Sequence, residues 1–307
     1  MLLLFLWNQQ PASRPATIGC IRIFDVPRCL FVADLHGRTD RYVKLFQEIA
    51  TSRPAAVFLG GDLLPAAFGP HEQDAFIADT LVPGFSALRL QLDRAYPHVF
   101  IILGNDDLRL HEGAIIEAEG LGIWVYAHQR RVAWSGYSVY GYACVPPTPF
   151  QLKDWERYDV SRYVDPSCLS PEEGWRSVPV PPHELKYRTI ADDLRMLALE
   201  DAHDEAIVLF HTPPYDTKLD RAALDGKAID HAPLDVHVGS IAVRHFIEAH
   251  QPLLTLHGHI HESARITGSW HDRLGRTRML SAAHDGDELA LVRFDPKRPD
   301  EAVRDLL

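Results

Sequence analysis

The sequence contains few cysteines, and no two of them have the spacing of a metal-binding or redox pair. Among 307 residues there are four, with no CxxC motif: Cys20, Cys29, Cys144 and Cys168. Such sparse usage argues against a disulfide scaffold and a thiolate zinc finger, and it suits a reducing compartment. We therefore expect a cytoplasmic protein.

Positive charge is also scarce. Lysine and arginine total 31 against 42 acidic residues, which gives a formal net charge of −11. Contact with nucleic-acid phosphates needs a clustered positive surface, so we do not expect a nucleic-acid partner. A small phosphorylated substrate is compatible with this charge, because a bound cation can supply positive charge locally.

The apolar run at the N-terminus is short. It covers residues 1–7, whereas a helix that crosses a bilayer needs about 18 or more apolar residues. No lysine or arginine precedes the run, so it lacks the charged start of a secretory signal. We interpret residues 1–17 as an N-terminal strand or tail, with a short export signal as the alternative, and we expect no membrane partner.

The rest of the composition is that of a folded domain. Apolar residues make up 46% and charged residues 24%, which supplies a full core and excludes a disordered chain and a coiled coil. No internal repeat or interdomain linker is visible. We predict one domain over residues 18–307 with insertions at about 144–184 and 212–239.

Short apolar runs alternate with helical patterns along most of the chain. The runs, each followed at once by polar residues, lie at 29–34, 55–62, 99–106, 206–211 and 253–259. The helical patterns lie at 41–50, 73–81, 85–96, 108–119, 185–202 and 240–249. Apolar runs of this length suit strands buried on both faces, so the alternation predicts an α/β fold. Further short strands after residue 121 fit two sheets packed face to face between helices.

The segment 144–184 departs from this pattern. It is too rich in proline for a helix or a central strand, and it carries Trp155, Tyr158, Tyr163 and Trp175. Long loops in compact domains are often functional or mobile. Three interpretations stay open: aromatic residues that cover a flank of the core, an active-site lid, and a dimer contact. The oligomeric state is left open with them.

Each of the five apolar runs ends on a group that can bind a cation. These groups are, in chain order, Asp34 with His36, Asp62, Asn105, His211, and His259 with His261. Ligands of open α/β sheets bind beyond the carboxyl ends of strands, so five strand ends can converge on one crevice. A single such residue is weak evidence, because an isolated histidine after an apolar run is more often a core residue. The ordered set predicts a metal site.

The motifs that carry these residues resemble those of the calcineurin-like metallophosphoesterase superfamily. They are ADLHG (33–37), GGDLL (60–64), GND (104–106), FHTPP (210–214) and GHIH (258–261). The resemblance implies a four-layer α/β/β/α sandwich of two mixed sheets flanked by helices, with a dinuclear metal site at its edge. It assigns one metal to Asp34, His36, Asp62 and His261, and the other to Asp62, Asn105, His211 and His259, with Asp62 bridging.

The donor types agree with that assignment. Carboxylate, amide and imidazole ligands without a thiolate suit two divalent or trivalent ions of manganese, iron or zinc, of which we favour manganese. A water shared by two such ions loses a proton near neutral pH and can attack phosphorus. No GxSxG motif is present, so an activated serine is not needed. We expect Asp62, Asn105 and Asp106 to take part in catalysis.

Asp106 departs from the family pattern. In many members a histidine that can protonate the leaving group follows the asparagine of the GN motif, and here Asp106 stands in its place, followed by Asp107. A model aspartate has a pKa of about 3.9, and nearby dications favour its anion. Asp106 should therefore be a poor general acid, unless a neighbour such as Asp107 raises its pKa. We expect a preference for good leaving groups, as in aryl diesters and nucleotide anhydrides.

Other histidines and one arginine are weaker candidates. We name Arg38, His231, His237 and His284 as candidate substrate contacts, with Tyr215 and Lys218 nearby in sequence, and a surface role is the alternative for each. Four further histidines are expected at the surface: His71, His98, His128 and His203.

The leading function is hydrolysis of phosphoric esters, by a phosphodiesterase or a nucleotide-directed phosphohydrolase. A nuclease is an alternative that the net charge of −11 disfavours. A non-catalytic scaffold that binds protein partners is another, although scaffolds of this family typically lose ligands and here all seven positions are filled. A metallo-β-lactamase-like hydrolase is excluded because its HxHxDH motif is absent.

Overall fold

A computed structural model describes residues 29–66, 70–197 and 205–307 of the chain. The predicted N-terminal strand or tail lies outside the described residues. None of the helices in the described ranges is long and apolar enough to cross a membrane.

Fourteen strands are formed by the described residues. In chain order they are β1 (Cys29–Val32), β2 (Ala56–Gly60), β3 (His98–Ile102), β4 (Val125–Tyr126), β5 (Arg131–Trp134), β6 (Tyr137–Tyr142), β7 (Ala206–Phe210), β8 (Ala228–Ile229), β9 (Ala232–Pro233), β10 (Leu254–His257), β11 (His271–Leu274), β12 (Thr277–Ser281), β13 (Ala290–Phe294) and β14 (Val303–Leu306).

Eight α-helices accompany them in the described ranges. They are α1 (Thr39–Ser52), α2 (Pro70–Phe76), α3 (Val82–Leu92), α4 (Glu112–Glu119), α5 (Pro182–Tyr187), α6 (Ile190–Leu197), α7 (Ile241–His250) and α8 (Ser263–Thr267). A π-helical segment, Ile77–Leu81, joins α2 to α3.

Two six-stranded mixed sheets form the centre of the molecule. The first has the order β14-β13-β1-β2-β3-β4, and the second has the order β11-β12-β10-β7-β6-β5. In the first, β1 to β4 are mutually parallel, and in the second the parallel strands are β12, β10, β7 and β6. Helices flank the two sheets, so the predicted four-layer sandwich is confirmed.

Aromatic side chains fill the space between the sheets. Phe58 of β2 stacks on Phe100 of β3 with ring centroids 5.1 Å apart. Trp134, from β5 of the second sheet, meets Phe58 and Phe100 edge-on at 6.2 and 6.0 Å. Each ring is buried, and edge-to-face pairs of this kind add to the stabilisation from burial. This packing holds the two sheets in a fixed relation, and with them the loops at their ends.

The helix predicted over residues 185–202 is wrong as a single element. It is interrupted after α5, where Arg188 has extended backbone angles. The Thr189 hydroxyl accepts a hydrogen bond from the Asp192 backbone N–H at 3.0 Å and so caps the start of α6. Residues 198–202 of the prediction lie outside the described ranges.

The insertion 144–184 packs firmly against the sheets at its centre. Trp155 is 1% exposed, and its indole N–H donates to the Asp107 carbonyl at 2.7 Å. Tyr158 is buried as well, whereas Tyr163 and Trp175 are exposed. The aromatic residues therefore divide between covering the core and facing solvent.

A buried ion pair fixes the same insertion. The Lys153 ammonium lies 2.6 Å from the Glu156 carboxylate, and both side chains are fully inaccessible. The ammonium also donates to the Thr148 carbonyl at 2.8 Å, and the Thr148 backbone N–H donates to Glu156 at 2.8 Å. Both charges are thus solvated by protein groups instead of water.

Lys153→Met is expected to destabilise the fold by about 3–5 kcal/mol, because it leaves the Glu156 carboxylate buried without its partner. Urea unfolding would show the loss as a lower midpoint with an unchanged slope. The control is Lys186→Met at an exposed position, which should change stability by no more than about 0.5 kcal/mol. Equal midpoints for the two variants would contradict this role of the pair.

Candidate metal centre

The candidate metal ligands lie together at one edge of the sandwich. They follow parallel strands of both sheets: Asp34 and His36 follow β1, Asp62 follows β2, Asn105 follows β3, His211 follows β7, and His259 and His261 follow β10. Parallel strands place their carboxyl ends at the same edge, and the face-to-face packing brings the two edges into contact. The seven residues that the motifs single out therefore share one crevice.

Their donor atoms form two groups that share Asp62. One group is Asp34, His36, Asp62 and His261, and the other is Asp62, His211 and His259; within each group the donor atoms lie within 4.8 Å of one another. His36 Nε2 lies 3.3 Å from His261 Nε2. His211 Nε2 lies 3.3 Å from Asp62 Oδ2 and 3.0 Å from the amide oxygen of Asn105. Asn105 thus adjoins the second group.

Four of these residues have a left-handed backbone. Their φ values are +56° for Asp34, +47° for His36, +52° for Asp62 and +74° for His259. Non-glycine residues rarely adopt this region, and such conformations cluster at functional sites. Strain at four ligand positions indicates that the backbone here is shaped to aim side chains into the crevice.

Two glycines allow the ligand loops to approach closely. Gly61 has a φ of +92°, and a Cβ there would lie 2.6 Å from His211 Nδ1. A Cβ on Gly104 would lie 2.5 Å from the Asp62 backbone nitrogen and 2.7 Å from His211 Cε1. Any side chain at either position would displace a ligand.

Asp107 and Arg41 hold the ligand loops from below. The buried Asp107 carboxylate accepts hydrogen bonds from the backbone N–H groups of Leu63, Leu64 and Gly104 at 2.8–3.0 Å. Arg41 donates to the carbonyls of Asp34 and Gly286, both at 2.6 Å. Arg41 had no signal in the sequence, because an arginine in the first turn of an amphipathic helix is ordinarily solvated.

Protons on histidine balance the carboxylates in the structure. Burial raises the pKa of Asp62, but the charges of His211 and His36 outweigh it, so the pKa lies below its ordinary range. Burial lowers the pKa of His211, and the Asp62 charge overcomes this and raises it to about 10. The hydrogen bond and charge of Asp34 likewise raise the pKa of His261 to about 9 against burial. Cations bound in the crevice would take over the charge balance from these protons.

The residues present fit a pair of divalent ions. Carboxylate, imidazole and amide donors belong to the ligand types that Mn²⁺, Fe²⁺ and Zn²⁺ accept. Two ions held close together need a shared anion, and Asp62 is the carboxylate common to both groups. Second contacts also orient the ligands, since His211 Nδ1 lies 2.8 Å from the Gly60 carbonyl.

Asp106 lies at the rim of the crevice. Its backbone N–H donates to Asp62 Oδ1 at 2.8 Å, and its Oδ2 lies 3.5 Å from His36 Nδ1. The Asp62 charge, followed by burial, raises the pKa of Asp106 to about 7. The carboxylate that raises it is therefore Asp62, whereas Asp107, which the sequence suggested, turns away to bond the backbone.

The candidate substrate contacts lie apart from this cluster in their interactions. Arg38 donates to Asp287 at 2.7 Å, and His284 pairs with Glu288 at 3.0 Å. His237 pairs with Asp220 at 2.8 Å, and His231 is exposed in the β8–β9 turn. Within the described ranges, none of the four bonds to a candidate metal ligand. Of their sequence neighbours, Tyr215 donates to Asp235 at 2.7 Å, and the Lys218 backbone N–H donates to Asp272 at 2.9 Å.

The histidines expected at the surface differ among themselves. His71 and His98 are exposed, and His203 lies outside the described residues. The prediction for His128 is wrong, because the ring is half-buried and its Nδ1 accepts a hydrogen bond from the Ala143 backbone N–H at 2.9 Å. A histidine directly after a two-residue strand gave no periodic signal from which its burial could be read.

The profile of the calcineurin-like phosphoesterase family matches residues 27–263. The match covers well over half of the chain, so the protein belongs to this family. Family membership and the two ligand groups together support a metal-dependent phosphoester hydrolase.

Solved structures show the same fold. One crystal structure has a TM-score of 0.57 at 18% identity, covering 91% of this chain and 99% of its own. The protein TT1561 of Thermus thermophilus has a TM-score of 0.50 at 19% identity, covering 91% and 97%. A dimetal phosphatase from Danio rerio has a TM-score of 0.47 at 14% identity, covering 87% and 93%. No curated protein matches the sequence.

Proposed function

We propose that the protein hydrolyses phosphoric esters with a two-metal centre, acting as a phosphodiesterase or a nucleotide-directed phosphohydrolase. The observation that supports this most is that Asp62 belongs to both groups of donor atoms. Bound divalent ions supply Lewis acidity and activate water for attack on phosphorus. Manganese is the ion we favour, in a cytoplasmic protein.

The chain's own residues hold and orient these groups. Asp62 is fixed by the Asp106 N–H at 2.8 Å, and Asn105 directs its amide oxygen toward His211 at 3.0 Å. The carboxyl of Asp106, 37% exposed, is the group nearest to solvent that could meet a leaving group. Because it follows Asn105 directly, it occupies the rim over which a substrate enters.

Asp106 favours substrates whose leaving groups need no proton. The charge of Asp62 is the largest cause of the raised pKa of Asp106, and cations that compensate Asp62 would remove that cause. Asp106 would then be an anion near neutral pH and a weak proton donor. Aryl diesters and nucleotide anhydrides, whose leaving groups are weakly basic, are therefore the proposed substrate class.

Metal analysis combined with hydrolysis assays tests the proposed function. The purified protein would be analysed for Mn, Fe and Zn, stripped with chelator, and assayed on bis(p-nitrophenyl) phosphate and p-nitrophenyl phosphate after Mn²⁺ is restored. We expect about two metals per chain and diesterase activity that returns with Mn²⁺. Protein that binds no metal would overturn the proposal in favour of a non-catalytic scaffold.

Asp106→His is expected to raise activity selectively on esters with poor leaving groups. A positioned histidine can protonate an alkoxide, and general acid catalysis typically contributes 10²–10⁴-fold, so at least about tenfold gain in kcat is expected on alkyl esters. Aryl esters should change little. The matched control is Asp225→His, at an exposed position in the second insertion. Parallel changes on both classes of ester would refute this account of Asp106.

A further inference from the structure

A cavity of about 370 Å³ lies at the same edge of the sandwich as the metal centre. His128, two residues past β4, and Cys144, two residues past β6, line it together with Trp155. β4 is the neighbour of β3, whose end carries Asn105, and adjacent strands lie about 4.8 Å apart. The cavity is therefore one strand further along the edge that holds the metal ligands.

Four arginines line this cavity in a chain with a net charge of −11. We call the cavity the arginine pocket, after Arg109, Arg130, Arg157 and Arg188. Among the lining residues that the structure describes, Glu112 is the one carboxylate. Such a concentration of guanidinium groups against the overall charge requires a physical reason.

Three of the arginines spend the same atom on the protein. Arg109 Nε donates to Glu112 at 3.2 Å, and Arg188 Nε donates to Asp193 Oδ1 at 2.6 Å. Arg157 Nε lies 3.0 Å from Asp193 Oδ2. Arg130 differs, because both of its Nη atoms bind Glu119 at 2.8 and 3.2 Å.

The Nη ends of the three forks are left with little protein contact. Arg188 Nη1 lies 3.6 Å from Glu184, beyond hydrogen-bonding distance, and Arg157 also contacts the Cys144 thiol. Among the residues described, we find no carboxylate or carbonyl that accepts a hydrogen bond from an Nη atom of Arg109, Arg157 or Arg188. Each guanidinium carries five N–H donors, so several remain for a ligand.

The charge around the pocket is only partly compensated. Asp193, with its side chain 1% exposed, faces both Arg157 and Arg188, so one buried carboxylate serves two cations. Burial, followed by the charges of Arg157, Arg109 and Arg188, lowers the pKa of His128 to about 3. Its ring is neutral, and since Nδ1 accepts from Ala143 at 2.9 Å, the ring proton is on Nε2, a further donor.

We propose that the arginine pocket is a second anion site, which binds a phosphate group. Forks of N–H donors match the several oxygens of a phosphate better than a single carboxylate. The volume of about 370 Å³ exceeds that of one phosphate ion, and Ile116, Tyr126 and Trp155 supply apolar wall. The site therefore suits the phosphate of an organic phosphomonoester, with free phosphate as the second source of the same chemistry.

Titration of chelator-treated protein with inorganic phosphate tests the site without any turnover. The parent is compared with Arg109→Gln and with the double variant Arg109→Gln/Arg188→Gln, by calorimetry. Charge-assisted hydrogen bonds are lost, so each substitution should weaken binding on the order of tenfold. The control is Arg195→Gln, whose side chain is 73% exposed and paired with Asp192, and its affinity should equal that of the parent.

Equal phosphate affinity in the parent and the double variant would overturn the proposal, as would absence of binding to the parent. Arg109→Gln is the variant that keeps the test decisive if the double variant unfolds. Its side chain is 30% exposed, and Glu112 retains the Tyr126 hydroxyl as a donor at 2.9 Å.

Kinetics distinguish the two sources of the phosphate, and this arm alone rests on the proposed function. An aryl phosphodiester with a second, terminal phosphomonoester is compared with the same diester lacking it. A KM that rises about tenfold in Arg109→Gln for the first substrate only means that the phosphate arrives on the substrate. Equal KM values, with phosphate binding lost in the titration, assign the pocket to free phosphate.

Discussion

Asp62→Asn is expected to lose both metal and turnover, with kcat/KM reduced on the order of a thousandfold or more. Asp62 is the residue common to both groups of donor atoms, and an amide cannot supply the anion that two cations share. The variant should fold, because the Asp62 contact with the Asp106 N–H at 2.8 Å can be kept by the amide oxygen. Metal content and diesterase activity measured on the same sample give both readouts.

The matched control for this variant is Asp300→Asn. Asp300 is 64% exposed and pairs with Arg278 near the start of β12, at the edge of the sandwich opposite to the metal centre. Its metal content and activity should equal those of the parent. An Asp62→Asn protein that keeps two metals and full activity would falsify the shared-ligand assignment.

Gly104→Ala is expected to be the most damaging substitution that changes no ligand. The added Cβ would meet the Asp62 carboxylate and lie 2.7 Å from His211 Cε1, so one ligand loop must shift. Overpacking of this kind typically costs about 1–3 kcal/mol, and misplaced ligands should lower metal affinity on the order of a hundredfold. Thermal unfolding with and without Mn²⁺ separates the two effects.

Gly113→Ala provides the comparison, because it makes the same change in open space. Nothing lies within 4 Å of a Cβ at this position, which is inside α4, so alanine should be neutral or stabilise by up to about 1 kcal/mol. If Gly104→Ala behaves like Gly113→Ala, the close approach of the ligand loops has no functional weight.

The sequence predicts the sandwich and the ligand edge because both depend on local patterns. Buried strands appear as apolar runs, and the residues that follow them, such as Asp34 and Asp62, sit at predictable strand ends. The strand β14 had no such signal, since its sequence VRDL is half polar and it is an edge strand. Its place in the sheet is set by pairing with β13.

The arrangement around Asp106 and His128 could not be read from the sequence. Asp62, which raises the pKa of Asp106, is 44 residues away along the chain, and neighbours in sequence such as Asp107 turn elsewhere. The arginine pocket likewise draws on four separate segments, with Arg109 and Arg188 far apart in the chain. Long-range pairing decides such contacts, and it leaves no periodic trace in the residues concerned.

The ligands that meet at this edge come from distant parts of the chain. His36 and His261, whose ring nitrogens lie 3.3 Å apart, are separated by 225 residues, and the two belong to loops of different sheets. Ions held there would act as cross-links that close a very long loop, in a protein with few cysteines to do so. Because an ion that binds only the folded chain shifts the folding equilibrium, metal supply would govern how long this protein survives as well as how fast it works.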